Sequence, residues 1–245
     1  MKRVLMSLLI AAVVILIAFP LSAKTFTATR LGDVTVIPTQ PAERPACVVG
    51  NLEQPAWAVT GWVIGNEAYK YLIVPGEECP ECANYPGFGM RAVHILLQFS
   101  ELQVPQTFTL VADLEDAVFD SLTGCWWPGP EDCVSEPVTI TIEQPGLYDI
   151  AVPISCDCAY FFDASGMPYV YMVSIHFMDA VNADIILDDT PTPCVAFNDW
   201  GAGWIDLYQY FGEYGDLIMW ADLDCCEDPI ADERTSWGQV KSLYR

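Results

Sequence analysis

Apolar side chains recur at every second residue through most of the segments between positions 93 and 221, and this alternation constrains the fold more than any other feature. Val93, Ile95, Leu97 and Phe99 share one face of an extended segment, and Phe108, Leu110, Ala112 and Leu114 share another. Val138, Ile140 and Ile142 follow with Thr139 and Thr141 opposite, then Tyr148, Ile150 and Val152. Tyr169, Tyr171, Val173, Ile175 and Phe177 repeat the pattern, as do Leu217, Met219 and Ala221. Turn signals separate these runs: Pro-Gly at 75, 86, 128 and 145, "SGMP" at 165–168 and "DDTPTP" at 188–193. Helical periodicity is weak throughout. Strands with one apolar and one polar face bury the apolar one by packing sheet on sheet, so the chain reads as all-β, an antiparallel β-sandwich of jelly-roll or Greek-key kind. Trp57 to Val63 and the segment 64–74 add a hairpin at the front.

The N-terminus has a different character. Lys2 and Arg3 precede an apolar run from Val4 to Phe19 and the small-residue segment "PLSAK", the order of parts in a secretory signal peptide. The expectation is export with cleavage after Ala23; the alternative is an uncleaved anchor, because the apolar run is long for a signal. Residues 24–46 have little periodicity and read as a flexible lead-in or a loosely attached strand. Residues 47–228 read as the sandwich domain, and 229–245, with Trp237, Lys241, Tyr244 and Arg245, as a separate tail that is either frayed or a sorting or attachment signal. "FTLVADLEDA" (108–117) and "LIMWADLDCC" (217–226) echo each other, which fits either two related halves or coincidence.

All ten cysteines lie between Cys47 and Cys226. An even number in an exported chain reads as a disulfide framework. "CPEC" places Cys79 and Cys82 at the spacing of a zinc knuckle or redox pair, but with only two histidines and no following helix pattern it reads as a structural disulfide. "CWWPGPEDC" reads as a loop around a Pro-Gly-Pro turn closed by a Cys125–Cys133 bridge. Cys156 and Cys158 fall on one side of an extended segment and so pair elsewhere. Adjacent Cys225 and Cys226 point oppositely and tie the last strand to two distant segments, one near Cys47, where a first-to-last bridge would close the domain. Cys194 has no preferred partner.

Charge excludes several classes of function. Between Cys47 and Cys226 there are 27 acidic residues against two basic ones, Lys70 and Arg91. Nucleic acid and anionic membrane surfaces are therefore not partners, since phosphate binding needs clustered Lys and Arg. Disulfides, aromatic burial or divalent cations must offset the self-repulsion. The acidic clusters "DLED" (113–116), "NADIILDD" (182–189) and "DLDCCED" (222–228) read either as solvated surface or as a Ca²⁺ site, with Asp184, Asp222 and Asp224 as candidate ligands. No EF-hand spacing supports the second reading.

Signatures of catalysis are missing: there is no Gly-x-Ser-x-Gly elbow, His-Glu-x-x-His helix or phosphate-binding glycine loop. A jelly-roll glycosidase needs only two carboxylates roughly 5 to 9 Å apart in a cleft, so it stays as a minor reading. "FNDWGAGW" (197–204) has two readings. Trp200 and Trp204, with Asn198 and Asp199 beside them, could form a platform for sugar rings, or the glycines and the Asn-Asp pair could build a rigid turn whose tryptophans cap the core; the second is preferred.

Taken together, "VHILLQF", "ADLEDA", the Cys-bounded Pro-Gly-Pro segment, "FNDWGAGWIDL" and the closing Cys-Cys resemble a group of uncharacterised secreted, cysteine-rich proteins of environmental bacteria. The resemblance implies no activity and no site. The function expected is that of a secreted structural or surface-assembly protein without catalysis, partnered by copies of itself or by other surface components. An extracellular carbohydrate-binding module is the alternative, with glycan as its ligand.

Overall fold

The computed structural model describes residues 24–40, 45–163 and 165–227, so the expected signal peptide and C-terminal tail lie outside the described residues. Strands are numbered in chain order. The first sheet runs β1 (Thr27–Arg30), β4 (Trp57–Gly65), β13 (Ala180–Leu187), β6 (Gly87–Phe99), β10 (Gly146–Pro153) and β2 (Val36–Pro38). Alongside the first part of β6 lies β16 (Met219–Cys226), flanked by β3 (Cys47–Gly50), and the short β11 (Ala159–Tyr160) joins the start of β6 on its other edge. The second sheet runs β15 (Ile205–Asp206), β14 (Ala196–Asp199), β5 (Ala68–Ile73), β12 (Tyr171–Phe177), β7 (Gln106–Asp120) and β8 (Cys125–Val134), with β9 (Val138–Ile142) beside the start of β7. Neighbours are antiparallel except β2 and β10, which are parallel.

The alternating residues form the core between the sheets. Val93, Ile95, Leu97 and Phe99 of β6 face Phe108, Leu110, Ala112 and Leu114 of β7 and Val173, Ile175 and Phe177 of β12 across one continuous cluster. Each such side chain gains roughly 1.5 to 3 kcal/mol from burial, which fixes register, because a slip of one residue would turn the whole set outward.

Of the two readings of the lead-in, its described residues fit the attached strand. Thr27–Arg30 pairs with β4 and Val36–Pro38 with β10, and between them Leu31 packs on a second, smaller cluster of Ala58, Leu96, Leu147, Ile186 and Ile218 on the outer side of the first sheet. Edge strands of three or four residues are too short to show a period, and their partners lie far along the chain.

The five disulfides correct three expectations. Cys125 and Cys133 do not close a loop: they lie eight positions apart on one extended strand, about 26 Å, far beyond the 4.4 to 6.8 Å reach of a disulfide. Cys125 instead pairs with Cys194 and Cys133 with Cys156. The Pro-Gly-Pro segment is part of β8, where prolines are tolerated because the strand is paired on one side only, to β7. Cys79 and Cys82 do not pair with each other either; short helical turns at Pro75–Glu78 and Pro80–Cys82 hold them against different strands, giving Cys47–Cys79 and Cys82–Cys225. There is no first-to-last bridge, since Cys226 pairs with Cys158. The domain is closed nevertheless, because Cys47 stands opposite Leu223 in the β3–β16 ladder. Cys225 and Cys226 do reach two separate segments. Among the described residues no helix is long and apolar enough to cross a membrane.

Candidate functional site

Three places gather polar or exposed groups that the core does not explain. The first is on the outer face of the second sheet. Asp113 and Glu115 of β7 alternate with core-facing Ala112 and Leu114, so both project outward, next to Ser174 and His176 of β12 and Lys70 of β5. Lys70 Nζ forms an ion pair with Glu115 Oε1 and lies 4.1 Å from the ring centroid of Trp204. His176 Nε2 is 2.5 Å from Asp113 Oδ2 and 2.8 Å from Ser174 Oγ. Asp113 and Glu115 are each about 1% exposed. Burial pushes the Glu115 carboxyl up; the Lys70 hydrogen bond and charge pull it back, and Asp113 adds to the rise. The second oxygens, Asp113 Oδ1 and Glu115 Oε2, are buried without a hydrogen-bond partner. Asp113, Glu115, Glu131 of β8 and His176 each present a donor atom within 4.8 Å of the others.

The second place is on the outer face of the first sheet. His94 of β6 bonds Asp149 Oδ1 of β10 through Nδ1 at 2.7 Å, and its Nε2 lies 3.3 Å from Asp222 Oδ2 of β16, a charge contact without the alignment of a hydrogen bond. The Trp220 ring stacks on the imidazole at 4.8 Å. Burial opposes the imidazolium, but the two carboxylates outweigh it and raise its pKa to about 9. An open groove of about 830 Å³ adjoins, lined by Val34, Val36, Leu52, Leu96 and Trp220 with Asp149 on its wall. The two Ala-Asp-Leu echoes correspond here: Asp113 and Asp222 each meet a histidine that sits two residues off register on the neighbouring strand.

The third place is the end of the β7–β8 hairpin. Beyond Asp116 the pair loses β12 as a neighbour, and residues 117–120 and 125–128 continue as a two-stranded ribbon. Its apolar side chains are exposed: Val118 52%, Phe119 52%, Trp126 36% and, at the turn, Leu122 95%. A free ribbon is marginal in water. This one is held next to its turn by Cys125–Cys194 and by Asp120, which accepts hydrogen bonds from Leu122 N and Thr123 Oγ1, and nearer its base by Trp127 against Phe197, with ring centroids 5.1 Å apart.

The residues singled out in the sequence fall elsewhere. In "FNDWGAGW", Asn198 is fully buried, donating Nδ2 to Ala68 O at 2.8 Å and accepting from Trp62 Nε1 at 3.1 Å. Asp199 Oδ1 accepts from Gly201 N and Gly203 N, which shapes a turn whose two glycines have φ of +95° and +91°. Trp200 packs edge-on to Trp62 at 5.5 Å, and Trp204 covers Lys70. The stretch is a half-buried turn, with Trp200 directed at Trp62 and Trp204 at Lys70.

Asp184, Asp222 and Asp224 are not brought together. Asp184 accepts from Gln103 Nε2, Asp222 faces His94, and Asp224 is paired with Arg91. The strand pattern could not show this, because each partner comes from a different strand. Asp188, in the same acidic run, is buried and holds Asn51, Thr190 and the Asp216 backbone. Burial raises Asp216 to about 6 against the opposing hydrogen bonds of Thr192. Lys70, Glu131 and His176 were missed as site residues. A lone lysine inside the apolar run "AYKYLIV" was the available signal, since such a residue needs a buried partner.

These features define a disulfide-tied, all-β sandwich whose outer faces carry internally paired charge. The chain belongs to the family described as "Domain of unknown function (DUF7451)", whose profile matches residues 45–222. No curated protein and no solved structure matches it.

Proposed function

We propose that the chain works outside the cytoplasm, after removal of residues 1–23, as a non-catalytic surface or assembly module that docks through the β7–β8 hairpin. The observation that carries this reading is the hairpin itself: four large apolar side chains exposed on a ribbon and its turn, which a disulfide and a half-buried tryptophan tie to the rest of the domain. An apolar surface that is tethered yet uncovered fits contact with another molecule better than it fits a solvated loop. The five disulfides fit an oxidising compartment. The buried Asp113 and Glu115 and the paired His94 are poorly placed to act on a substrate.

Without Lys2 and Arg3 each copy has 33 acidic residues against eight basic ones, a net charge of −25, and copies repel one another, so the partner is another extracellular component that offers an apolar cleft rimmed by Lys or Arg. The test is binding of purified protein to the surface of the producing cells. Phe119→Ser with Leu122→Ser should lower binding at least about tenfold, the effect of losing roughly 1.4 kcal/mol. Leu102→Ser, at an equally exposed but isolated residue in the β6–β7 loop, serves as control. Equal binding of all three proteins overturns the reading.

A further inference from the structure

We propose that the outer face of the second sheet holds a divalent transition-metal ion, Zn²⁺ by preference, between Asp113, Glu115, Glu131 and His176. The four donor atoms lie within 4.8 Å of one another. Ligands around a tetrahedral zinc at 2.0 to 2.2 Å stand roughly 3.4 Å apart, so side-chain adjustments of about 1 Å close the set. A second, independent observation points to a ligand. Asp113 and Glu115 are almost wholly buried, yet each has one oxygen without any hydrogen-bond partner. Buried carboxylate oxygens are nearly always satisfied, and an unsatisfied pair on adjacent outward positions of one strand calls for an ion or a water.

The oxygens already in use show how the site is held. Lys70 occupies Glu115 Oε1 and leaves Oε2 for the ion; Asp113 Oδ1 is open, and the ion replaces the contact of His176 Nε2 with Asp113 Oδ2. Lys70, itself under the Trp204 ring, thus orients the Glu115 carboxylate without ligating. Charge agrees: three carboxylates face one ammonium, and a divalent cation with neutral imidazole cancels the remainder. An imidazole among the donors selects zinc over calcium, which takes six to eight oxygens. His176 ligates through the lone pair of a neutral ring nitrogen, Nε2.

The experiment is calorimetric titration of the exported, fully oxidised protein with ZnCl₂ after EDTA treatment and desalting, repeated with CaCl₂. A parallel CoCl₂ titration is read by the visible spectrum. The expected result is one Zn²⁺ per chain, a Co²⁺ spectrum of tetrahedral type, and an affinity for Ca²⁺ at least about 100-fold weaker. Asp113→Asn and His176→Gln should each weaken Zn²⁺ by about 100-fold or more, beyond the 10- to 100-fold typical of outer-shell partners. Glu131→Gln, at an exposed residue whose loss does not threaten folding, should likewise weaken it by more than about 100-fold, and it decides the matter if the buried variants do not fold. Absence of Zn²⁺ binding, binding unchanged by Glu131→Gln and His176→Gln, or equal affinity for Ca²⁺ each overturns the proposal.

Discussion

His94 makes stability depend on pH in a direction that can be worked out in advance. Its imidazolium lies between Asp149 and Asp222 under the Trp220 ring, and its pKa is raised from 6.5 to about 9. That difference corresponds to roughly 3 kcal/mol, because each tenfold change in proton affinity is worth about 1.4 kcal/mol. The folded state binds the proton more tightly than the unfolded one. The stabilisation is therefore complete below pH 6.5, declines as pH rises, and is gone above pH 9. His94→Gln keeps a hydrogen-bonding side chain but no charge, so it should cost about 3 kcal/mol at pH 6 and close to nothing from this source at pH 9.5. Urea unfolding of both proteins at pH 6, 8 and 9.5 measures it. All described cysteines are in disulfides, so no thiol titrates in this range. A wild type that holds its stability from pH 6 to 9.5, or a variant whose deficit is the same at both ends, would refute the reasoning.

Other expectations follow from single contacts. Gly65 has φ +83°, and a Cβ there would lie 2.1 Å from Asp179 O, so Gly65→Ala should lower stability by at least about 2 kcal/mol in thermal or urea unfolding. Replacing Cys82 and Cys225 together by serine opens, with Cys133–Cys156 and Cys158–Cys226 intact, a loop of roughly 55 residues and should cost about 4 kcal/mol, read from the urea midpoint. Trp200→Ala removes packing against Trp62 and should cost about 2 to 3 kcal/mol while leaving any glycan binding unchanged. A glycan affinity that falls with Trp200 and Trp204 at constant stability would restore the carbohydrate reading.

The alternation of Val93 to Phe99 and of Phe108 to Leu114 was enough to recover both central strands, because each has one face in the core along most of its length. The short edge strands Thr27–Arg30 and Val36–Pro38 escaped, since they bury almost nothing and owe their form to partners far along the chain. Disulfide pairing was legible only where local geometry forbids a bond, as for adjacent Cys225 and Cys226. The Cys125–Cys133 expectation fails because Pro-Gly-Pro, a turn signal in most settings, lies here on an edge strand, where the missing N–H bonds are not needed. The site failed for a related reason. Asp113 and Glu115 were visible as an acidic run, but only the sheet order places Lys70, His176 and Glu131 beside them.

The hairpin contact can be tested most directly by a photoreactive side chain placed at position 122 and, separately, at position 102, two residues that are 95% and 96% exposed at opposite ends of β7. After irradiation on the surface of producing cells, position 122 should give one dominant crosslinked product with another component, and position 102 none. Matching products from both positions, or crosslinks only between copies of the chain, would contradict docking through the β7–β8 hairpin.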